Sequence, residues 1–186
     1  MTETGAPGHK PAEVDARSSR RRLLAIGGVL VVVDQLTKWW ATTALADGPI
    51  DVVWTLRFRE IGNTGAAWSI GKDLGPFLGI LILIIIIAMY FFRSRIDSGR
   101  PFVAYSVIFG GAIGNVLDRL FRGEGWLRGA VVDFIDFQWY PVFNVADMSV
   151  VVGSLSLIAL TWRSGSEDDT VETGPEAASQ QADQPT

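Results

Sequence analysis

The sequence predicts an all-α membrane protein in which four transmembrane helices carry a small extracytoplasmic β-rich cradle. Three observations predict this fold class. Apolar residues make up 48% of the 186 residues, and the mean hydropathy is positive. Several apolar runs approach the roughly 20 residues that cross a bilayer as a helix. The polar segments between them contain stretches in which apolar and polar residues alternate, as in a strand with one wet face.

The first predicted helix spans residues 23–45, with Trp39 and Trp40 suited to the aromatic belt at its far interface. The basic arm before it, residues 1–22, is rich in Gly, Pro and charge and is expected to be disordered. A secretory signal peptide is the alternative, because three arginines and a short apolar core precede an Ala-Leu-Ala triplet that ends at residue 46. Two charged residues between that core and the triplet argue against cleavage.

An outer loop, residues 46–73, connects the first two helices. Its alternating segment Trp54–Arg59 predicts a strand, and the motif GNTGAAWS predicts a turn or a re-entrant loop. The second helix, residues 74–92, carries no charge and is the clearest membrane span in the chain.

The third helix, residues 101–121, opens on Pro101, which suits the first turn of a helix. Glycines at positions 110, 111 and 114 give it a small face for close helix packing. The second outer loop, residues 122–143, contains an alternating run at Val131–Phe137, which predicts a strand or an extended segment on the membrane surface.

The fourth helix, residues 144–162, completes a single membrane domain at residues 23–163 and precedes an acidic tail, residues 164–186, that is expected to be disordered. The bases of the short loops divide unequally between the two sides of this topology. One side holds Lys10, Arg17, Arg20, Arg21, Arg22, Arg93, Arg95, Arg100 and Arg163, and the other holds Arg57, Arg59, Lys72, Arg119, Arg122 and Arg128. By the positive-inside rule, the first side and both termini are cytoplasmic.

Composition excludes several classes of function. The formal charge of −4 comes from the acidic tail, and the mildly basic remainder has no cluster suited to nucleic acid. The absence of cysteine excludes disulfides, thiolate nucleophiles and thiolate metal sites. The single histidine, His9, lies in the N-terminal arm, which excludes a Ser-His-Asp triad and an HExxH zinc site. No cofactor or metal is expected.

Charged side chains inside membrane spans generally serve function or pairing, because burying one costs roughly 2.5 to 3.5 kcal/mol. Asp34 and Lys38 lie four residues apart in the order that favours an ion pair. We interpret the pair as structural, with direct catalysis as the alternative. Asn115 and Arg119 share a face of the third helix, where Arg119 either snorkels to the interface or binds a carboxylate or a peptide carbonyl.

Asp133 and Asp147 form the candidate catalytic pair. Asp133 lies in the second alternating run, and Asp147 lies close after Asn144 at the outer start of the fourth helix. Structural roles also fit these residues, because Asp147 suits the helix dipole and Asn144 suits an N-cap.

Without cysteine or a usable histidine, a membrane hydrolase built from this chain has two options. One is a Ser–Lys dyad, with Ser69 and Lys38 as candidates. The other is a pair of carboxylates, which are better supplied near the outer surface. Two aspartates in one site cannot both ionise easily, so one keeps its proton while the other acts as a base on water.

Five separated blocks resemble the lipoprotein signal peptidase family, the type II signal peptidases of bacteria, in the family's order. They are VVDQLTKWW, NTGAAWS, GGAIGNVLDR, VVDF and FNVAD, between Leu23 and about Leu160. The resemblance implies a membrane aspartic protease that cleaves a prolipoprotein before its diacylglyceryl-modified cysteine, at the outer face of the bacterial cytoplasmic membrane. It also implies inhibition by the cyclic peptide globomycin.

On matching positions, the resemblance makes Asp133 and Asp147 the catalytic dyad. The residues that shape the site, hold substrate or support it would be Asp34, Lys38, Asn63, Asn115, Arg119 and Asn144. The expected partners are prolipoprotein and membrane lipid, without nucleic acid. Asp136 is an extra carboxylate without an assigned role, and a solvated contact with Arg122 or Arg128 is one interpretation of it.

Two other classes of protein stay open from the sequence. In a small channel or transporter, polar residues of the first and third helices would line a path across the bilayer. In a noncatalytic scaffold, aspartate substitutions would change stability but no reaction.

Overall fold

The computed structural model describes residues 11–65, 75–96 and 99–171. Within them, four helices and a three-stranded antiparallel sheet follow one another along the chain. In order, they are α1 (Pro11–Ala44), β1 (Ile50–Val53), β2 (Leu56–Asn63), α2 (Gly75–Phe92), α3 (Arg100–Phe121), β3 (Val131–Asp136) and α4 (Val145–Val171). Each helix contains a segment long and apolar enough to cross a membrane, which confirms the predicted fold class.

Helix α3 is the centre of the bundle. In its membrane-spanning stretch 61% of the residues are buried, against 17 to 22% in the other three spans. The predicted glycine face explains this close packing, because Gly110 lies against Gly27 of α1 and Gly111 lies against the carbonyl of Ala146 in α4. A Cβ atom at either α3 glycine would overlap these neighbours. Polar residues on α3 are therefore surrounded by protein and not by lipid.

The cradle is a sheet with strand order β1-β2-β3 that packs on the end of α1. The ring of Trp40 makes edge-to-face contacts with Phe58 at 5.3 Å and with Phe134 at 6.0 Å between centroids. Trp40 thus joins the first helix to the sheet, whereas Trp39 stays 66% exposed, as a residue of the aromatic belt would be. The first strand pair differs from the prediction, because Trp54 lies in the turn between β1 and β2 and is 96% exposed.

Two helices extend beyond their predicted ends. Residues 11–22, which were predicted to belong to a disordered arm, are helical, and residues 164–171 of the predicted acidic tail continue α4. No proline follows Pro11 within α1 or interrupts α4, so backbone hydrogen bonding continues past the apolar segments. Residues 1–10, 66–74, 97–98 and 172–186, which include the second half of the predicted GNTGAAWS turn, lie outside the described residues.

Helix α1 is part of the protein core, contrary to the signal-peptide alternative. Leu23 and Ala41, near the two ends of its membrane segment, are both 0% exposed, as are Asp34 and Lys38 between them. A segment destined for removal would not complete the interior of the mature protein in this way.

Candidate active site

Asp133 is a buried carboxylate on the central part of β3. In the antiparallel register of β2 and β3, Asp133 lies opposite Ile61 and only two positions from the end of β2 at Asn63. Its side chain is 2% exposed and accepts two hydrogen bonds. Asn63 Nδ2 donates to Asp133 Oδ2 at 2.9 Å, and Asn144 Nδ2 donates to Asp133 Oδ1 at 2.6 Å.

Asp147 lies in the first turn of α4, where a reciprocal cap positions it. The backbone N–H of Asp147 donates to Asn144 Oδ1 at 2.9 Å, and the backbone N–H of Asn144 donates to Asp147 Oδ2 at 3.2 Å. This is the capping-box arrangement, with Asp in the position that Glu or Gln occupies most often. Asn115 Nδ2 donates to the other oxygen, Asp147 Oδ1, at 2.7 Å. The predicted N-cap role of Asn144 is confirmed.

The two carboxylates face one cavity of about 440 Å³. Asn144 contacts both acids, since its amide donates to Asp133 while its amide oxygen holds the Asp147 N–H. Burial and the nearby charge of Asp147 raise the pKa of Asp133 to about 7, although the hydrogen bonds from Asn63 and Asn144 act in the opposite direction. At neutral pH Asp133 can therefore keep a proton.

Arg119 also lines this cavity and leaves hydrogen-bond donors unused. Its side chain is 5% exposed, and Nη2 donates to the carbonyl of Gly65 at 2.9 Å, in the loop after β2. Its Nε and Nη1 atoms are buried and have no hydrogen-bond partner among the described residues. An arginine that snorkels would place its head in water, so the structure contradicts that alternative. These free donors suit a peptide carbonyl or another acceptor brought by a ligand.

Lys38 lies behind the cavity and holds Asn115 in position. Its ammonium group contacts Asp34 Oδ2 at 2.9 Å, Asp118 Oδ2 at 2.8 Å and Asn115 Oδ1 at 3.0 Å. Because the Asn115 oxygen faces Lys38, its amide nitrogen is directed to Asp147. Asp34 Oδ1 in turn accepts the backbone N–H of Ala146 at 3.0 Å, which ties α1 to the start of α4.

These contacts decide two of the alternatives. A catalytic Ser–Lys dyad is disfavoured, since the three donors of Lys38 are engaged by three acceptors and its side chain is 0% exposed. Ser69, the candidate nucleophile of that dyad, lies outside the described residues. A polar path across the bilayer is also disfavoured, because Lys38 pairs with Asp34 and with Asp118 of α3 inside the protein.

Asp118 is a site residue that the sequence analysis did not single out. Besides Lys38, its carboxylate accepts hydrogen bonds from Arg122 Nε at 2.7 Å and from the backbone N–H of Val132 at 3.1 Å, next to Asp133. It therefore connects α3 to the strand that carries Asp133. Its spacing from Arg122, four residues with the acid first, is the sequence signal that predicts such a pair.

Asp136 stabilises the cradle, and the predicted solvated contact with Arg122 or Arg128 is wrong. Its side chain is 2% exposed and contacts Arg57 Nε at 2.8 Å and Arg59 Nε at 3.1 Å across the β2–β3 pair. Burial alone would disfavour the charged form, but the hydrogen bond and charge of Arg57, with further help from Arg59, hold the pKa of Asp136 below its usual range.

Comparison with known proteins gives consistent matches over most of the chain. Residues 26–163 match the family model described as signal peptidase (SPase) II. A lipoprotein signal peptidase of Mycolicibacterium smegmatis is 37% identical over 160 residues, which cover 85% of this chain and 68% of that protein. One from Rhodococcus jostii is 33% identical over 171 residues, covering 91% and 86% respectively.

Solved structures agree with these sequence matches. A bacterial membrane enzyme determined by the in meso method at 2.3 Å resolution superposes with a TM-score of 0.68 and 32% sequence identity. The match covers 78% of this chain and 90% of that one.

Proposed function

Because the chain belongs to the signal peptidase II family, and so is a membrane-spanning peptidase, we propose that it is an aspartic endopeptidase that removes the signal peptide of bacterial prolipoproteins. Cleavage would occur just before the diacylglyceryl-modified cysteine. The single observation that carries the aspartic mechanism is the position of Asp133 and Asp147, which reach one cavity from two different elements and share Asn144 as a neighbour.

The proposed reaction uses the two carboxyl groups in different protonation states. Asp133, whose pKa lies at about 7, keeps the proton, and Asp147 acts as the base. Asp147 takes a proton from a water molecule, which attacks the scissile carbonyl, while Asp133 donates to the developing oxyanion. The proton held by Asp147 then moves to the leaving nitrogen as the C–N bond breaks, and a hydroxyl of the tetrahedral intermediate returns its proton to Asp133. One water is consumed, and a carboxylic acid and an amine are released.

The amide groups around the dyad would orient its two carboxylates, and the guanidinium group of Arg119 would position the substrate. Asn63, Asn115 and Asn144 hold the two carboxylates in fixed orientations through hydrogen bonds of 2.6 to 2.9 Å. The unused Nε and Nη1 donors of Arg119 would bind a backbone carbonyl of an extended peptide in the same cavity.

The lipid on the substrate cysteine would assist this positioning. Acyl chains in a leaflet hold the scissile bond near the headgroup level, where the cradle meets the ends of α1, α3 and α4. Because the substrate is already held at this depth, the entropic cost of binding it is lower. The excess of arginine next to the apolar segment of α1 and between α2 and α3 orients the chain with both termini in the cytoplasm of a bacterium. The dyad then faces the outer leaflet of the cytoplasmic membrane. Inhibition by globomycin belongs to the same proposal.

A cleavage assay with a diacylglyceryl-modified prolipoprotein in detergent micelles tests this function. Asp133→Asn and Asp147→Asn should each abolish release of the signal peptide while the protein still inserts and melts as the wild type does. Asp51→Asn is the matched control, because it makes the same charge change on an exposed position of β1, outside the cavity. Normal turnover in either dyad variant would remove that residue from the mechanism, and cleavage of an unmodified precursor at an equal rate would contradict the proposed substrate.

A further inference from the structure

An apolar groove with two arginines at its mouth lies at the end of the bundle opposite to the dyad cavity. Its volume is about 490 Å³, and its walls include Val103 and Val107 of α3 and Val152 of α4. Arg22 and Arg100 also line it. Along α3, Arg100 precedes Arg119 of the dyad cavity by about 28 Å of helix rise, which is close to a full hydrocarbon thickness. The groove and the active site therefore face opposite leaflets.

The arginines at the mouth carry positive charge that no acidic side chain within residues 16–65, 75–96 and 99–162 neutralises. The guanidinium carbon of Arg22 lies over the Phe102 ring, 5.3 Å from its centroid, and this cation–π contact helps to hold the side chain at the groove. Among the acidic residues whose side chains are described, in 16–65, 75–96 and 99–162, none forms an ion pair with Arg22 or Arg100. Arg100 is also the first residue of α3, where no side chain caps the helix and the positive end of its dipole adds to the field.

We propose that this groove binds an anionic phospholipid of the adjacent leaflet, with an acyl chain between α3 and α4 and its phosphate between Arg22 and Arg100. The occupant must supply both a long apolar segment and a negative head at one end, which is the chemistry of such a lipid. From Arg100 to Val107 the groove follows α3 for about 10 Å, so it fits within one leaflet of roughly 15 Å. Basic pockets between helix ends recognise anionic headgroups in this way. The site is separate from peptide cleavage and does not depend on it.

Native mass spectrometry of the full chain tests the proposal. The protein is equilibrated with equal amounts of phosphatidylglycerol and phosphatidylcholine that carry the same acyl chains. The wild type should retain phosphatidylglycerol preferentially, and Arg22→Gln and Arg100→Gln should each lower that preference by about fivefold. Ser156→Phe, which puts a large side chain into the groove, should reduce retained phosphatidylglycerol while both arginines remain. A melting curve for each variant verifies that it is folded.

The double variant Arg20→Gln/Arg21→Gln is the matched control, because these arginines lie on the same side of the membrane but do not line the groove. It should keep the preference. An equal loss in this control would assign the attraction to diffuse surface charge and overturn the proposal. So would a wild type without preference, or displacement of the lipid by millimolar inorganic phosphate, which would indicate a free-phosphate site. Unchanged preference in Arg100→Gln would also overturn the proposal, because the phosphate would then not depend on that guanidinium.

Discussion

Replacing Lys38 by Met removes the cation at the centre of the polar network behind the dyad. In the wild type this ammonium lies 2.9 Å from Asp34, 2.8 Å from Asp118 and 3.0 Å from Asn115. All three charged side chains are 0% exposed, so the variant leaves Asp34 buried without a cation, while Asp118 keeps its contact with Arg122. Breaking a buried pair by removing one partner costs about 3 to 5 kcal/mol.

For a chain of this size each kcal/mol lowers the melting temperature by about 2 to 4 °C, so Lys38→Met should lower it by about 6 to 20 °C. The assay is thermal unfolding in detergent, followed by tryptophan fluorescence. Adding Asp34→Asn to the variant removes the carboxylate that has lost its only cation and should restore part of the loss. A Lys38→Met protein that melts within a few degrees of the wild type, or a double variant that melts lower still, would refute the account of this network.

Three further outcomes follow from the site. Asn63→Ala removes a hydrogen-bond donor that favours ionised Asp133, so the pKa of Asp133 should rise further above its usual value. The alkaline limb of the kcat/KM profile should therefore move up by about one pH unit. An alkaline limb at the wild-type pH would contradict this prediction. Ionised Asp136 stabilises the fold above its unfolded pKa of about 3.9, and this stability disappears as pH falls through the lower folded value. Arg57→Gln should therefore flatten the fall in melting temperature between about pH 5 and pH 3, and a profile as steep as in the wild type would count against the pairing. Removing divalent cations with a chelator should leave the cleavage rate unchanged, because each oxygen of the two dyad carboxylates already accepts a hydrogen bond from an N–H group. Activity that is lost on chelation and restored by one divalent cation would require a metal in the mechanism.

The apolar runs were sufficient to predict the membrane helices, but they did not predict how far each helix continues beyond its apolar segment. The ends of α2 and α3 lie within a residue of the predicted positions, because polar loops bound both apolar runs. Helix α1 continues back to Pro11 and α4 continues to Val171, where apolarity no longer distinguishes helix from coil. The strands were predicted from alternation, but their exact limits depend on pairing with a partner strand, which a local pattern does not contain.

The members of the candidate site could be named from the sequence, whereas their contacts could not. The spacing of Asp34 and Lys38 predicted a pair, but the second acid, Asp118, reaches Lys38 only through the packing of α1 on α3. Asp136 and Arg57 are 79 residues apart in the chain, and only the register of β2 on β3 brings them together. Tertiary packing also decides between the two alternatives for Arg119. The same local sequence is compatible with an arginine buried in a cavity and with one that snorkels to water.

In the proposed mechanism, Asp133 and Asp147 work as one unit on a single water molecule. The most direct measurement compares single-turnover cleavage rates of Asp133→Asn, Asp147→Asn and the double variant. Groups that act together lose their effect together, so each single variant should fall by about 10⁴-fold or more, and the double variant should be hardly slower than either one. Losses that multiply in the double variant, or a single variant that keeps its wild-type rate, would contradict a shared catalytic role.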